Sequence, residues 1–177
     1  MPGAGKSVCM EHLKTKGIPS AYFGGITIDE VKKRGLEVTE ANERFVREDI
    51  RAKEGKGAYA LRILTQIEAF FEAGHDTVVV DGLYSWTEYK IFKEALEDNA
   101  VIIAVVSPRR VRHERLAQRP VRPLNEAEAS ARDYAEIENL EKGGPIANAD
   151  YFVANSESPE QLLIDLDQIL DTINIIL

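Results

Sequence analysis

Met1-Pro2-Gly3-Ala4-Gly5-Lys6-Ser7 opens the chain. The run matches everything after the first glycine of the pattern G-x-x-x-x-G-K-[ST]. Its glycines let the backbone wrap close to phosphate oxygens with the N–H groups turned inward. A helix that starts after the lysine adds the positive end of its dipole. In such a loop Lys6 reaches the β- and γ-phosphates and the Ser7 hydroxyl ligates Mg²⁺. A glycine-rich helix start with no ligand is the plainer reading, but it gives no reason for Gly-x-Gly-Lys-Ser directly ahead of a helical stretch. A loop of this kind hangs from the carboxyl end of a strand. Neither that strand nor the pattern's first glycine stands ahead of Met1. The reading therefore expects roughly seven to ten further residues, an apolar strand plus glycine, upstream, since strands run about five to six residues.

Outward from the loop, short apolar runs alternate with helical stretches, which predicts an α/β fold with a parallel sheet. Residues 7–16 read as a helix stopped by Gly17 and Pro19, and residues 20–23 as a short strand. Thr27-Ile28-Asp29-Glu30 has the form of a capping box that opens a short helix to about Arg34. Thr39 caps a second, highly charged helix to about Lys53. Residues 58–73 carry apolar side chains at 61, 64, 67, 70 and 71, a helical stripe closed by Gly74. Thr77-Val78-Val79-Val80-Asp81 and residues 101–106 are the continuous apolar runs expected of buried parallel strands. Ser85-Trp86-Thr87-Glu88 is a second capping box, for a helix to about Asp98. Ser107-Pro108 starts a helix at Arg109. Asn125 caps a helix to about Leu140, which Gly143-Gly144-Pro145 breaks. Residues 151–154 form a last strand, and Ser158-Pro159 opens a terminal amphipathic helix.

Composition narrows the function. The 177 residues carry 30 acidic and 22 basic side chains, a net charge of −8. That balance argues against general nucleic-acid binding, where affinity comes mostly from neutralised phosphates. No apolar stretch is long enough for a spanning helix, and no basic region followed by an apolar run marks a signal peptide. A single cysteine, Cys9, can form neither an internal disulfide nor a zinc cage. The expected setting is cytoplasmic, with neither nucleic acid nor membrane as partner. The oligomeric state is not readable.

The charge is unevenly spread. Six of the twelve arginines lie between Arg109 and Arg122, against one acid, Glu114. Such an island would repel itself without an anion, and it reads as a localised anion site. Arg115 and Arg119, four apart, share a helix face and can clamp phosphate oxygens in pairs. Arg112 and Arg122 flank them. Asp81 ends a buried strand, where ligands of open α/β sheets bind, and is the candidate second metal ligand beside Ser7. Asp29 is a weaker one, since an acid in a first helical turn has a structural reason to be there. His12, His75 and His113 lack metal spacing. Cys9 reads as core. Trp86 and Tyr89 either line an acceptor pocket or pack inside.

Gly3-Ala4-Gly5-Lys6-Ser7, Val79-Val80-Asp81-Gly82, Arg115-Leu116-Ala117-Gln118-Arg119 and Ala149-Asp150-Tyr151-Phe152-Val153-Ala154-Asn155 occur in that order. Together they resemble the nucleoside monophosphate kinase-like P-loop kinases. The likeness is greatest to adenylate kinase-related archaeal P-loop proteins and to dephospho-CoA kinase. The resemblance implies a P-loop NTPase three-layer sandwich, here with its first strand missing, as a single domain over residues 1–177. Residues 27–56 match the acceptor-binding helical region and residues 109–123 the lid.

By the same likeness the cofactors are ATP and Mg²⁺. Gly3, Ala4, Gly5, Lys6, Ser7, Val8, Arg115 and Asn155 contact the nucleotide, with Asn155 bordering the adenine. Lys6, Asp81, Arg115 and Arg119 serve catalysis, and Ser7 and Asp81 the metal. The implied activity is ATP-dependent phosphoryl transfer to a small acceptor. Dephospho-CoA kinase-type activity and an ATP-binding switch module are the alternatives. A GTPase switch lacks its Asn-Lys-x-Asp base-reading motif. The family's arginine after the strand-end Asp-Gly is replaced here by Leu83-Tyr84. Arg44, Arg47, Arg51 and Arg62 are the candidates to anchor an acceptor phosphate instead.

Overall fold

We describe a computed structural model of the chain, covering residues 1–174. In chain order the elements are α1 (Lys6–Thr15), β1 (Ser20–Tyr22), α2 (Phe23–Lys33), α3 (Glu40–Glu54), α4 (Ala58–Glu72), β2 (Val79–Asp81), α5 (Trp86–Leu96), β3 (Ile103–Val106), α6 (Arg109–Ala117), α7 (Glu126–Glu138), α8 (Gly143–Ala147), β4 (Tyr151–Ala154) and α9 (Pro159–Thr172). They divide into two compact units. One contains residues 1–17 and the chain from 101 onward; the other contains residues 18–100.

Each unit holds one parallel strand pair. In residues 18–100, β1 pairs with β2, placing Ser20 opposite Val79 and Tyr22 opposite Asp81. In the other unit β3 pairs with β4, from Ile103 opposite Tyr151 to Val106 opposite Ala154. Helices make both crossovers, as parallel pairing requires. The α/β class with parallel strands is therefore as the alternation of runs predicts. Asp81 and Asn155 each stand at or just past the carboxyl end of a strand.

The core of residues 18–100 gathers Phe23, Ile26 and Val31 of α2, Val46 and Ile50 of α3, Ala58, Tyr59, Ile63 and Ile67 of α4, and Phe92 of α5. Here two local readings change. Thr27 is no cap. The helix starts four residues earlier, at Phe23, because Phe23, Ile26, Thr27 and Val31 share one buried face. Gly24 fits this start because the Tyr22 ring occupies the place of a side chain there. Asp29 is consequently an exposed mid-helix residue. The buried stripe of α4 is also turned from the one expected: Leu61 and Phe71 are exposed, while Tyr59, Ile63 and Ile67 face inward. A helix apolar on most sides does not reveal its phase by spacing alone. In this phase the Tyr59 hydroxyl meets Thr27 Oγ1 in a buried 2.8 Å hydrogen bond.

The other unit packs Cys9, Met10 and Leu13 of α1 with Leu162, Leu166 and Leu170 of α9, and buries Leu116, Ala129 and Val153. Burial pushes the Cys9 thiol up to about 11, so it behaves as a small apolar side chain. The caps at Thr39, Ser85, Asn125 and Ser158 are all made, with complete capping boxes at Ser85 and Asn125. Gly143-Gly144-Pro145 does more than break a helix, for it forms the short α8. Among the described residues no helix is long and apolar enough to cross a membrane.

Tyr59→Phe should cost about 1–3 kcal/mol by stranding the buried Thr27 hydroxyl. Adding Thr27→Val should recover most of that loss in urea unfolding. Equal losses in the single and double variants would show that the stranded Thr27 hydroxyl is not the source of the loss.

Candidate phosphate-binding site

The loop before α1 is shaped by two left-handed glycines, Gly3 at φ 77° and Gly5 at φ 104°. Gly5 is the N-terminal cap residue of α1. It offers no side-chain acceptor, and the first turn of α1 holds no acid. The amide end of the helix is thus left for an external anion. Ala4 is buried, Lys6 half-buried, and Ser7 and Val8 exposed.

Both glycines also meet neighbours where a side chain would stand. A Cβ at Gly3 would lie 2.7 Å from the carbonyl oxygen of Arg112, and one at Gly5 would strike the Asn155 amide. The loop carbonyls between them are held from the same sides. Arg112 Nη1 donates to the Pro2 carbonyl at 3.2 Å, and Asn155 Nδ2 donates to the Ala4 carbonyl at 2.9 Å.

The arginine island largely takes a different part from the one its charge suggests. Arg112 forks onto Asp133 of α7, with two 2.8 Å bonds. Arg109 reaches Glu126 and Ser130, and Arg110 pairs with Glu114. Arg115 forks onto Asn155, donating to its backbone oxygen and to Oδ1, both at 3.1 Å. The neutralising charge comes from α7, seventeen to twenty-one residues away in sequence for the Arg109 and Arg112 contacts. Counting acids only inside the island therefore misses it. Arg115 and Arg119 do not share a helix face either, because α6 ends at Ala117 and Arg119 lies beyond its C-terminal cap residue, Gln118. Arg119 is exposed on that loop. Asn155, expected to border an adenine, places its side-chain amide on the loop backbone.

His113 is the residue sequence reasoning undervalued. It is buried, with Nδ1 2.8 Å from Glu126 and Nε2 3.1 Å from Asp133. Burial pushes the Asp133 carboxyl up, but hydrogen bonds from Arg112 and His113 outweigh it and leave it below the ordinary aspartate range. Asp133 has one faint signal in the sequence: it follows Ala129 by four, on the buried face of α7.

Asp81 stands half-buried at the end of β2 in the other unit. Past it, Gly82 takes φ 109° with the Tyr84 ring over it. Glu88 is wholly buried. Its Oε2 accepts from the Tyr84 and Ser85 amides while Oε1 has no hydrogen bond; burial raises its carboxyl. Trp86 and Tyr89 stack on each other, ring centres 4.9 Å apart, and both remain half-exposed. Of the candidate acceptor anchors, Arg44 is held by Glu48 and Arg62 by Glu54, and Arg47 lies 3.7 Å from Glu40. Arg51 lies over the Tyr59 ring, 3.9 Å from Glu88.

A family profile described as an AAA domain, AAA_18, matches residues 1–137. The chain belongs to this family. Full-length relatives are UPF0200 proteins. That of Thermococcus kodakarensis is 35% identical over 98% of this chain and 94% of its own length. That of Hyperthermus butylicus is 33% identical over 96% and 89%. This AAA_18 member is therefore also a UPF0200 protein. Its fold likeness extends to the crystal structure of TT1252 from Thermus thermophilus, with a TM-score of 0.64 at 18% identity, covering 98% of this chain and 94% of that one. The domain is a P-loop NTPase of kinase-like type.

The Arg112–Asp133 pair yields a pH prediction. A carboxyl held low stabilises the fold above its unfolded pKa, and that stability is lost as pH falls through the folded value. Asp133→Asn should cost about 3–5 kcal/mol near neutrality, because it leaves Arg112 buried and uncompensated. The gap to wild type in urea unfolding should narrow below about pH 4. A gap of constant size across that range would exclude the charge as its source.

Proposed function

We propose that the protein is a MgATP-dependent phosphotransferase acting on a small, nucleotide-like acceptor. The observation that carries this reading is the loop itself. Two left-handed glycines, an uncapped helix end free of acids, and Lys6-Ser7 at its start suit a polyphosphate and no neutral ligand. Lys6 neutralises the β- and γ-phosphates, and the amides of the first turn of α1 take the remaining oxygens. Ser7 would hold Mg²⁺ together with the nucleotide. The bound ion would add positive charge where phosphate oxygens gather it.

Asp81 stands at a strand's carboxyl end, the place from which an acid can orient an acceptor hydroxyl or receive its proton. Arg119, exposed on the loop after α6, is the arginine of the island assigned to an incoming nucleotide; Arg109, Arg110, Arg112 and Arg115 are engaged by the protein. Residues 27–56 supply the acceptor side. Likeness to adenylate kinase-related proteins and dephospho-CoA kinase favours an acceptor carrying a nucleotide or a related phosphorylated group.

MgATP should raise the melting temperature of the wild-type chain and leave Lys6→Ala unmoved. Labelled ATP offered with nucleoside monophosphates, dephospho-CoA and small alcohols should mark at least one of them faster than water. Arg119→Ala should then lower turnover by about 10³-fold with little loss of ATP affinity. If no acceptor outpaces hydrolysis, the transferase reading fails and an ATP-controlled switch takes its place.

A further inference from the structure

We propose that Arg115 and Asn155 form a positioning pair for the phosphate loop, so that Arg115 serves a bound nucleotide through the loop backbone and without touching it. The inference rests on the reading of residues 3–8 as a nucleotide site and assigns that site's support.

The polar groups of Asn155 are committed. Its backbone N–H donates to the Val106 carbonyl at 2.7 Å, fixing the residue at the end of the β3–β4 pair. Its backbone oxygen and Oδ1 accept from the two terminal nitrogens of Arg115, and Nδ2 donates to the Ala4 carbonyl. A guanidinium only donates, and a carbonyl only accepts. Turning the amide over would set Nδ2 against Arg115 and Oδ1 against the Ala4 oxygen, two repulsive contacts in a residue that is 5% exposed. Arg115 and the Ala4 carbonyl thus agree on which way the amide faces. The fork is what lets one side chain hold both oxygens, which an ammonium point charge does less well.

The effect reaches the loop through peptide planarity. The Ala4 carbonyl and the Gly5 N–H belong to one rigid unit and point in opposite directions. Holding that oxygen on Asn155 therefore aims the Gly5 N–H away from β4. Gly5 can sit this close because it lacks the side chain that would strike the Asn155 amide, and its φ of 104° suits glycine. An Arg115 that turned both terminal nitrogens onto phosphate would give up its two bonds to Asn155 and release the loop it holds.

A double-mutant cycle separates the two roles. Arg115→Met, Asn155→Ala and the double variant are compared as full chains by MgATP titration, and without nucleotide by amide hydrogen exchange of residues 1–10. Each single variant should bind MgATP about tenfold more weakly, and Arg115→Met should add less than about twofold when Asn155 is already alanine. Losses that multiply to about a hundredfold would mean that Arg115 acts on phosphate directly, and the proposal falls. In the nucleotide-free chain, exchange in residues 1–10 should rise in both single variants and no further in the double. Unchanged exchange overturns the proposal whether or not the protein binds ATP. Raised exchange in a chain whose wild type ignores MgATP would uphold the pair and dismiss the nucleotide reading. Arg115→Lys, which keeps the charge and gives up the fork, carries the exchange measurement if Asn155→Ala does not fold.

Discussion

A backbone that offers its N–H groups to an anion must dispose of its carbonyls elsewhere, and this loop does so at two points. The oxygens of Pro2 and Ala4 are taken by Arg112 and Asn155. Since each peptide is planar, these two bonds orient the Gly3 and Gly5 N–H groups as well. Much else in the unit serves them. The β3–β4 pair fixes Asn155, α6 carries both Arg112 and Arg115, and α7 supplies the carboxylates that allow Arg112 to be buried. Close packing of Gly3 on Arg112 and of Gly5 on Asn155 leaves the loop little alternative path.

The electrostatics follow a similar economy. A chain with net charge −8 concentrates half its arginines in fourteen residues. Most of that concentration is spent on internal bracing. Buried ion pairs are weak as net stabilisers, but breaking one partner is severe. Such pairs fit a segment that must hold one geometry. His113, set between Glu126 and Asp133, extends the same network along α6 and ties two turns of α7 together.

Much of this was legible from residue order. The helix caps at Thr39, Ser85, Asn125 and Ser158 and the parallel strands follow from local chemistry that tertiary contacts do not overturn. The loop is legible because glycine and lysine at that spacing have few other uses. What escaped were properties settled across distance. Thr27 looks like a cap until the burial of Phe23 and Ile26 draws the helix past it. The α4 stripe could not be phased without knowing the core of α2, α3 and α5 that its buried face packs against. The arginine island reads as unpaired because its acids, Glu126 and Asp133, sit in the next helix. Asn155 was singled out for its place after the last strand, and only the fold shows that its partner is the loop backbone.

The chain has one tryptophan, and it stands in the unit that does not contain the phosphate loop. Trp86 lies half-exposed against the Tyr89 ring, close in sequence to Asp81 and to the buried Glu88. The intrinsic indole emission of this protein therefore comes from a single optical position, on α5. A change in that emission reports on the surroundings of Trp86 within residues 18–100.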